Sequence, residues 1–263
     1  ARSGKNQWWR YVLGVIGALL FGLLGAWLVG MPVENAIASH SNLLLQAAFA
    51  SGYLANHGAF LCLAIGVCIV LKGLHHRDPR TLISANQTFQ IQRFLTGFMV
   101  WFGLSITQAF FEYLLNPNGF IWQGNLVPWA VFLPVALILT PIQTSAEELL
   151  FRGYLLQGIG LVVRQPLVLT ILASSPFAIA HFSNPEMGRD AVWIGLTYFA
   201  LAVFLTAITL KDNRLELALG VHAANNLFIS LFVNTKDSVL QTPALFLQTT
   251  LTHPSITFFS LLI

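Results

Sequence analysis

Residues 127–156 read VPWAVFLPVALILTPIQTSAEELLFRGYLL, a largely apolar run that ends in two adjacent carboxylates and an arginine. A run of roughly 20 apolar residues is long enough for an α-helix to cross the hydrocarbon layer of a bilayer. The chain as a whole is also strongly apolar: 56% of its 263 residues are hydrophobic and only 9% are charged. One soluble core could not bury so much apolar surface, so the sequence predicts a polytopic membrane protein.

The predicted fold class is all-α, an integral membrane helix bundle with seven to eight transmembrane helices. The alternating polar and apolar segments that are typical of outer-membrane strands do not occur in this sequence, so the spans are expected to be helices. The expected spans are residues 11–30, 53–71, 94–115, 127–147, 166–182, 191–210 and 215–233, with a weaker eighth at 243–263. No segment between them could bury a core of its own, which makes residues 1–263 one integral membrane domain.

The first predicted span carries small residues at four-residue spacing, namely Gly14, Ala18, Gly22, Ala26 and Gly30. Such a strip lets another helix backbone approach closely. Packing within the chain and an interface with a second protein both remain open from the sequence.

The positions of the basic residues predict the orientation of the chain. With a cytoplasmic N-terminus, the inside loops carry Arg2, Lys5, Arg10, Lys72, Arg77, Arg80, Arg93, Arg164, Lys211 and Arg214. The outside loops carry only Arg189 and Lys236, an asymmetry that follows the positive-inside rule. The net charge of +3 then reflects topology and contact with membrane lipid. Nucleic acid is not an expected partner, because no soluble segment has a basic face with interleaved aromatic residues.

The charges that follow the fourth span have two interpretations. Ser145 and Glu148 match the capping box that begins a surface helix. Alternatively, Glu148 and Arg152, at i and i+4, neutralise each other, while Glu147 is turned about 100° away and lacks a local partner. Ionisable residues in a membrane span are rare, and an unpaired carboxylate there is a candidate general base.

Two later spans carry polar residues that can complete a site. Phe177 and His181 share one helical face, and His222 and Asn226 share another, because residues four apart are neighbours on a helix. A single histidine in an apolar helix is more often a core residue with satisfied hydrogen bonds. Their coincidence with the carboxylates favours a joint site.

Three motifs therefore stand in a fixed order on successive apolar segments: Glu147-Glu148-x-x-x-Arg152, Phe177-x-x-x-His181 and His222-x-x-x-Asn226. They resemble the motifs of the type II CAAX prenyl endopeptidases and of their bacterial relatives, the CAAX protease and bacteriocin-processing (Abi, CPBP) family. The resemblance covers about 127–233, including the run Phe151-Arg152-Gly153. It implies a catalytic core in that region and accessory N-terminal spans within 11–115.

The resemblance implies an intramembrane glutamate protease without a cofactor, acting on a membrane-anchored peptide or protein. Carried over by position, Glu147 would activate the attacking water with help from His181. His222 and Asn226 would stabilise the oxyanion, and the neighbouring ion pair of Glu148 with arginine would hold the site together. Peptide hydrolysis needs such a base and such donors.

Three other functions remain open from the sequence. Glu147, His181 and His222 are acceptable zinc ligands, although the sequence has no His-Glu-x-x-His helix. A scaffold or assembly factor could retain the motifs and bind a protein, pigment or lipid within a membrane protein complex, using some of the 21 Phe and 7 Trp residues. A transporter is disfavoured by the lack of a repeated half. The expected location is a bacterial inner membrane or an internal membrane such as the thylakoid.

Overall fold

The computed structural model of the chain describes residues 4–32, 45–124, 126–249 and 255. This part of the chain contains seven helices of 15 residues or more. They are α1 (Trp8–Gly30), α2 (Leu45–His75), α3 (Ile91–Leu115), α4 (Leu126–Ile159), α5 (Pro166–Ala180), α6 (Ala191–Asp212) and α7 (Glu216–Leu231). The fold is therefore mostly helical, as predicted.

Five of these helices, α1, α2, α3, α4 and α6, are long and apolar enough to cross a membrane. This confirms a polytopic helical membrane protein. The predicted count of seven to eight spans is not confirmed, because α5 has 15 residues and α7 has 16. At 1.5 Å per residue each is roughly 22–24 Å long, shorter than the hydrocarbon layer of about 30 Å.

Several predicted boundaries differ from the structure. The span predicted at 127–147 continues as helix to Ile159, and the span predicted at 166–182 ends at Ala180. The predicted eighth span at 243–263 is wrong at its beginning, where Phe246–Gln248 form a β-strand. Most of the remainder of that segment lies outside the described residues.

Helices α1 and α2 pack through small residues. A Cβ at Gly25 would lie 2.6 Å from Cβ of Cys62, and one at Gly14 would lie 2.6 Å from a methyl group of Val70. Gly14 also lies against Tyr154 of α4, and Ala18 is fully buried. Within the predicted strip, Gly14, Ala18, Gly22 and Gly30 pack within the chain, whereas Ala26 is exposed and its neighbour Gly25 makes the close contact instead.

Helices α3 and α7 cross at two glycines. A Cβ at Gly220 would lie 2.0 Å from the carbonyl oxygen of Phe94, and one at Gly97 would lie 2.5 Å from that of Leu217. Only glycine permits backbones to approach so closely. The crossing fixes the position of α7 and of the histidine two residues beyond Gly220.

Helix α4 changes its winding directly after the two adjacent glutamates. Residues Leu149–Leu155 form a π-helical segment, and regular α-helix resumes at Leu156. Single π-turns within α-helices frequently mark functional sites. Gly153 in this segment lies against the short loop that follows α2, where a Cβ would come 3.1 Å from Cβ of Leu82.

A small sheet, which was not predicted from the sequence, covers one end of the bundle. Its strands are β1 (Phe120–Trp122), β2 (Val233–Thr235) and β3 (Phe246–Gln248), in the spatial order β1-β3-β2. Strand β3 pairs antiparallel with β1 and parallel with β2. The sheet thereby joins the loop before α4 to the chain that follows α7.

Candidate active site

The centre of the candidate site is an ion pair within α4. Arg152 donates to Oε1 of Glu148 over 2.7 Å, and the two side chains are 1% and 0% exposed. Arg152 also lies 4.4 Å above the ring of Phe177 and donates to Thr206 and to the carbonyl of Ala202, both on α6. The predicted i,i+4 pair is therefore confirmed, and its arginine additionally connects α4 to α5 and α6.

His222 of α7 lies between the two carboxylates. Its Nδ1 is 2.7 Å from Oε1 of Glu148, and because an ionised carboxylate can only accept, Nδ1 carries the proton of this bond. Its Nε2 is 3.5 Å from Oε2 of Glu147. Glu148 thus orients the imidazole, and the imidazole faces Glu147.

Glu147 is buried, and its environment differs from that of its neighbour. The residue is 6% exposed, and its Oε2 has no hydrogen-bond partner in the described part of the chain. Oε2 of Glu148 also lacks a partner among the described residues, but its Oε1 is bonded to Arg152 and His222, whereas Glu147 faces an imidazole at 3.5 Å. Of the two carboxylates, Glu147 is thus the less strongly paired among the described residues.

His181 enters the site from the end of α5. It caps the helix, and its Nδ1 lies 2.7 Å from the carbonyl oxygen of Phe177, so Nδ1 is the donor and Nε2 is left as an acceptor. The ring of Phe177 lies 4.4 Å from the ring of His181 and 5.8 Å from that of His222. Phe177 thereby packs between the two imidazoles and joins the second motif to the third.

Asn226 lies one helical turn beyond His222 on α7. Its Oδ1 accepts a hydrogen bond of 3.1 Å from Nδ2 of Asn225, and Oδ1 of Asn225 accepts from the indole of Trp101 on α3. This bond uses only the oxygen of Asn226, so its Nδ2 remains available as a donor. The structure therefore brings all six predicted site residues onto adjoining elements, α4, α5 and α7.

Two further groups at this site were not predicted from the sequence. The ring of Tyr198 on α6 lies 4.5 Å from that of His181, and its hydroxyl accepts a hydrogen bond from Asn184. Thr206 on α6 accepts from Ser174 on α5 and from Arg152. Tyr198 and Thr206 carry no local pattern in the sequence, because their role depends on contacts between separate helices.

The residues described by the structure include no group of three or more His, Cys, Asp or Glu side chains arranged to hold a metal ion. Oε1 of Glu148 is already bonded to Arg152 and His222. Glu147, His181 and Nε2 of His222 are the remaining groups at the site with atoms available to a metal ion.

Comparison with known proteins agrees with this geometry. The family model described as type II CAAX prenyl endopeptidase Rce1-like matches residues 126–228, a range that contains all six site residues. The uncharacterized protein YyaK of Bacillus subtilis (strain 168) is 36% identical over 249 residues, which cover 90% of this chain and 82% of that protein. This chain belongs to the Rce1-like family.

No solved structure matches the chain. Membership of the Rce1-like family confirms the resemblance found in the sequence and makes a CAAX-type membrane protease the coarse expectation for this protein. The matched range begins with α4 and ends within α7, so it contains the elements that carry the three motifs. Helices α1, α2 and α3 precede it and support α4 and α7 from outside.

Proposed function

We propose that this chain is an intramembrane endopeptidase that hydrolyses a peptide bond of a membrane-anchored peptide or protein. The different pairing of the two adjacent glutamates carries the proposal. Arg152 and His222 both bond Oε1 of Glu148, whereas Glu147, which is 6% exposed, faces the imidazole of His222 at 3.5 Å. A buried carboxylate whose neighbour is already neutralised is suited to accept a proton from water.

In the proposed reaction Glu147 takes a proton from a water molecule that is also held by Nε2 of His181. The water oxygen forms a bond to the peptide carbonyl carbon, and the carbonyl electrons move onto oxygen. When the tetrahedral intermediate collapses, the C–N bond breaks, and protonated Glu147 gives its proton to the departing amine. One water is consumed, and a carboxylic acid and an amine are released.

The negative charge of the intermediate needs donors that are already in position. Nδ2 of Asn226 is available, and His222 can donate from Nε2 when it is protonated, with Glu148 holding its Nδ1. One preorganised donor is worth about 2.7–4 kcal/mol of transition-state stabilisation. Exclusion of bulk water by the surrounding helices would strengthen these interactions.

We further propose that hydrolysis proceeds without a metal. Support comes from the guanidinium of Arg152, which is bonded to Oε1 of Glu148 and would repel a zinc ion held at the same carboxylate. Activity lost to a chelator and restored by zinc, with zinc present in the purified protein, would overturn this part of the proposal and leave the assignment to the protease class intact.

The direct test compares the termini of membrane peptides in cells that lack the protein. The cells are complemented with the wild-type chain or with Glu147→Gln at equal abundance. We expect the variant to fold normally and to behave like the deletion, because glutamine keeps the shape of the side chain and cannot act as a base. The cleavage products that disappear would then identify the substrate.

Asp78→Asn is the matched control, because it makes the same acid-to-amide change in the exposed loop after α2. We expect this control to restore the wild-type termini. If Glu147→Gln also restores them, proteolysis by this glutamate is ruled out. A scaffold that binds a protein, pigment or lipid would then be the better assignment, and co-purifying molecules would identify its partner.

A further inference from the structure

A cavity of about 270 Å³ adjoins the candidate site on the side of the small sheet. Helices α3, α6 and α7 form its walls, and strand β2 and the loop between α5 and α6 contribute to its rim. Two of its lining residues contact the site directly. Tyr198 lies against His181, and Asn225 is bonded to Asn226. A chain that occupies the cavity would therefore pass next to the proposed hydrolytic centre.

The cavity contains carboxylates that have few or weak partners. Glu186 is 9% exposed and accepts from the backbone N–H of Val239, but its Oε2 has no hydrogen-bond partner among the described residues. Glu112 receives hydrogen bonds from two neutral amides, those of Gln108 and Gln248. Burying a carboxylate oxygen without a partner is costly, so Glu186 in particular is poised to bind a donor.

The cavity also has an excess of negative charge. Arg189 is the one basic side chain among the described residues that line it, and it is paired with Asp237 over 2.6 Å. The lining carboxylates are Glu112 and Glu186, and the charge of Arg189 is already balanced by Asp237, so neither glutamate has a cationic partner among the described lining residues. A ligand for this cavity should carry positive charge.

The remaining lining is apolar and suits an aliphatic segment. Leu201 and Ile194 of α6 and Phe228 and Ile229 of α7 contribute to it. Lysine and arginine combine a long apolar stem with a cationic head, and they bury the stem along apolar surface while the head keeps polar partners. This combination matches the distribution of apolar and acidic groups in the cavity.

We propose that the cavity is a specificity subsite for a lysine or arginine side chain of the substrate, with Glu186 as its main counter-ion and Glu112 as the second. The assignment rests on the proposed endopeptidase function, because it places this residue beside the scissile bond. The amine of a phosphatidylethanolamine headgroup has the same chemistry, so the test must distinguish a peptide from a lipid.

The test measures binding rather than cleavage, using the full chain in phosphatidylglycerol nanodiscs. The probes are two fluorescent, lipid-anchored decapeptides that differ only in a central lysine or the uncharged norleucine. We expect the lysine peptide to bind about tenfold more tightly, a difference of about 1.4 kcal/mol. Glu186→Gln should remove this preference, because its amide oxygen still accepts from Val239 while the charge is lost.

Two further variants make the result specific. Glu112→Gln should weaken the preference in part, and it provides a second test if Glu186→Gln does not fold. Asp78→Asn should leave the preference unchanged. It removes one negative charge from the exposed loop after α2, where hydrogen bonds from Arg80 lower the pKa of Asp78 to about 2 and keep it ionised.

Equal binding of both peptides, or no binding of either, overturns the subsite. Loss of the lysine preference when phosphatidylethanolamine is added to the nanodiscs assigns the cavity to lipid and overturns the peptide assignment. Failure of the subsite is distinguishable from failure of the proposed function. A lysine preference that Glu186→Gln removes, together with wild-type peptide termini in Glu147→Gln cells, refutes the protease alone. Equal binding of both peptides, together with altered termini in those cells, refutes the subsite alone.

Discussion

Replacing Arg152 by methionine tests whether the buried ion pair holds the candidate site together. The substitution keeps an apolar stem of similar length and removes the guanidinium. Glu148 would then lie 0% exposed with only the imidazole of His222 to balance its charge. Removal of one partner from a buried ion pair costs about 3–5 kcal/mol, chiefly because the other charge is left uncompensated.

The contact with the Phe177 ring at 4.4 Å adds to this cost, by about 0.5–2 kcal/mol in typical cation–π pairs. The hydrogen bond from His222 partly offsets it, so we expect a total loss of about 3–5 kcal/mol. Such a loss corresponds to a fall in Tm of about 6 °C or more, at about 2–4 °C per kcal/mol for a chain of this size.

Thermal unfolding of the detergent-solubilised protein, followed by tryptophan fluorescence, measures this loss. A double-mutant cycle with Glu148→Gln isolates the pair. The double variant removes both charges, so it should cost less than the sum of the single variants by about 0.5–3 kcal/mol. Arg80→Met is the control, because its pair with Asp78 is 65% and 37% exposed, so its removal should leave the Tm close to that of the wild type.

Two results would refute the reasoning. An unchanged Tm for Arg152→Met would show that Glu148 does not need its arginine. Strictly additive costs in the cycle would show that the two side chains act independently, despite the distance of 2.7 Å between them.

Three further predictions follow from contacts elsewhere in the bundle. Gly220→Ala places a Cβ 2.0 Å from a carbonyl oxygen of α3. It should therefore destabilise the protein by about 1–3 kcal/mol in thermal unfolding and lower turnover. Wild-type stability of this variant would contradict the described helix crossing. Tyr154→Phe loses the hydrogen bond of 2.7 Å to His75 and should lower stability by about 1–3 kcal/mol in the same assay. An unchanged Tm of this variant would count against the buried hydrogen bond. Tyr198→Phe keeps the ring contact with His181 and should retain turnover. Tyr198→Ala should lower turnover up to about 100-fold, because the imidazole of His181 would be misplaced. Equal turnover of the two variants would exclude a positioning role for the Tyr198 ring.

The local part of the site could be predicted because helical spacing determines it. Glu148 and Arg152 are four residues apart, and their pairing needs only one helix. The meeting of Phe177 with His222 depends on how α5 packs against α7, and no spacing within either helix predicts it. In that case the order of the motifs, rather than a physical rule, pointed to the site.

The boundaries that were missed have identifiable causes. The span predicted at 166–182 ends at Ala180, four residues before Asn184, whose conformation is restricted by the following Pro185. Proline in this loop was therefore a usable signal. Strands of three residues, such as Phe120–Trp122, are too short to show an alternating pattern. Their pairing partners are also far away in the chain, so the sheet could not be predicted.

The π-helical segment Leu149–Leu155 constrains which deletions the chain can tolerate. A π-turn is equivalent to one residue inserted into an α-helix, so the parts of α4 before and after it are rotated by about 100° relative to a regular helix. The part before it directs Glu148 towards α7, and Tyr154, near its end, is directed towards His75 of α2. Removing one residue would restore a regular helix while turning one of these contacts away. The extra residue therefore allows one helix to direct Glu148 towards α7 and Tyr154 towards α2, which a continuous α-helix would not do at the same positions.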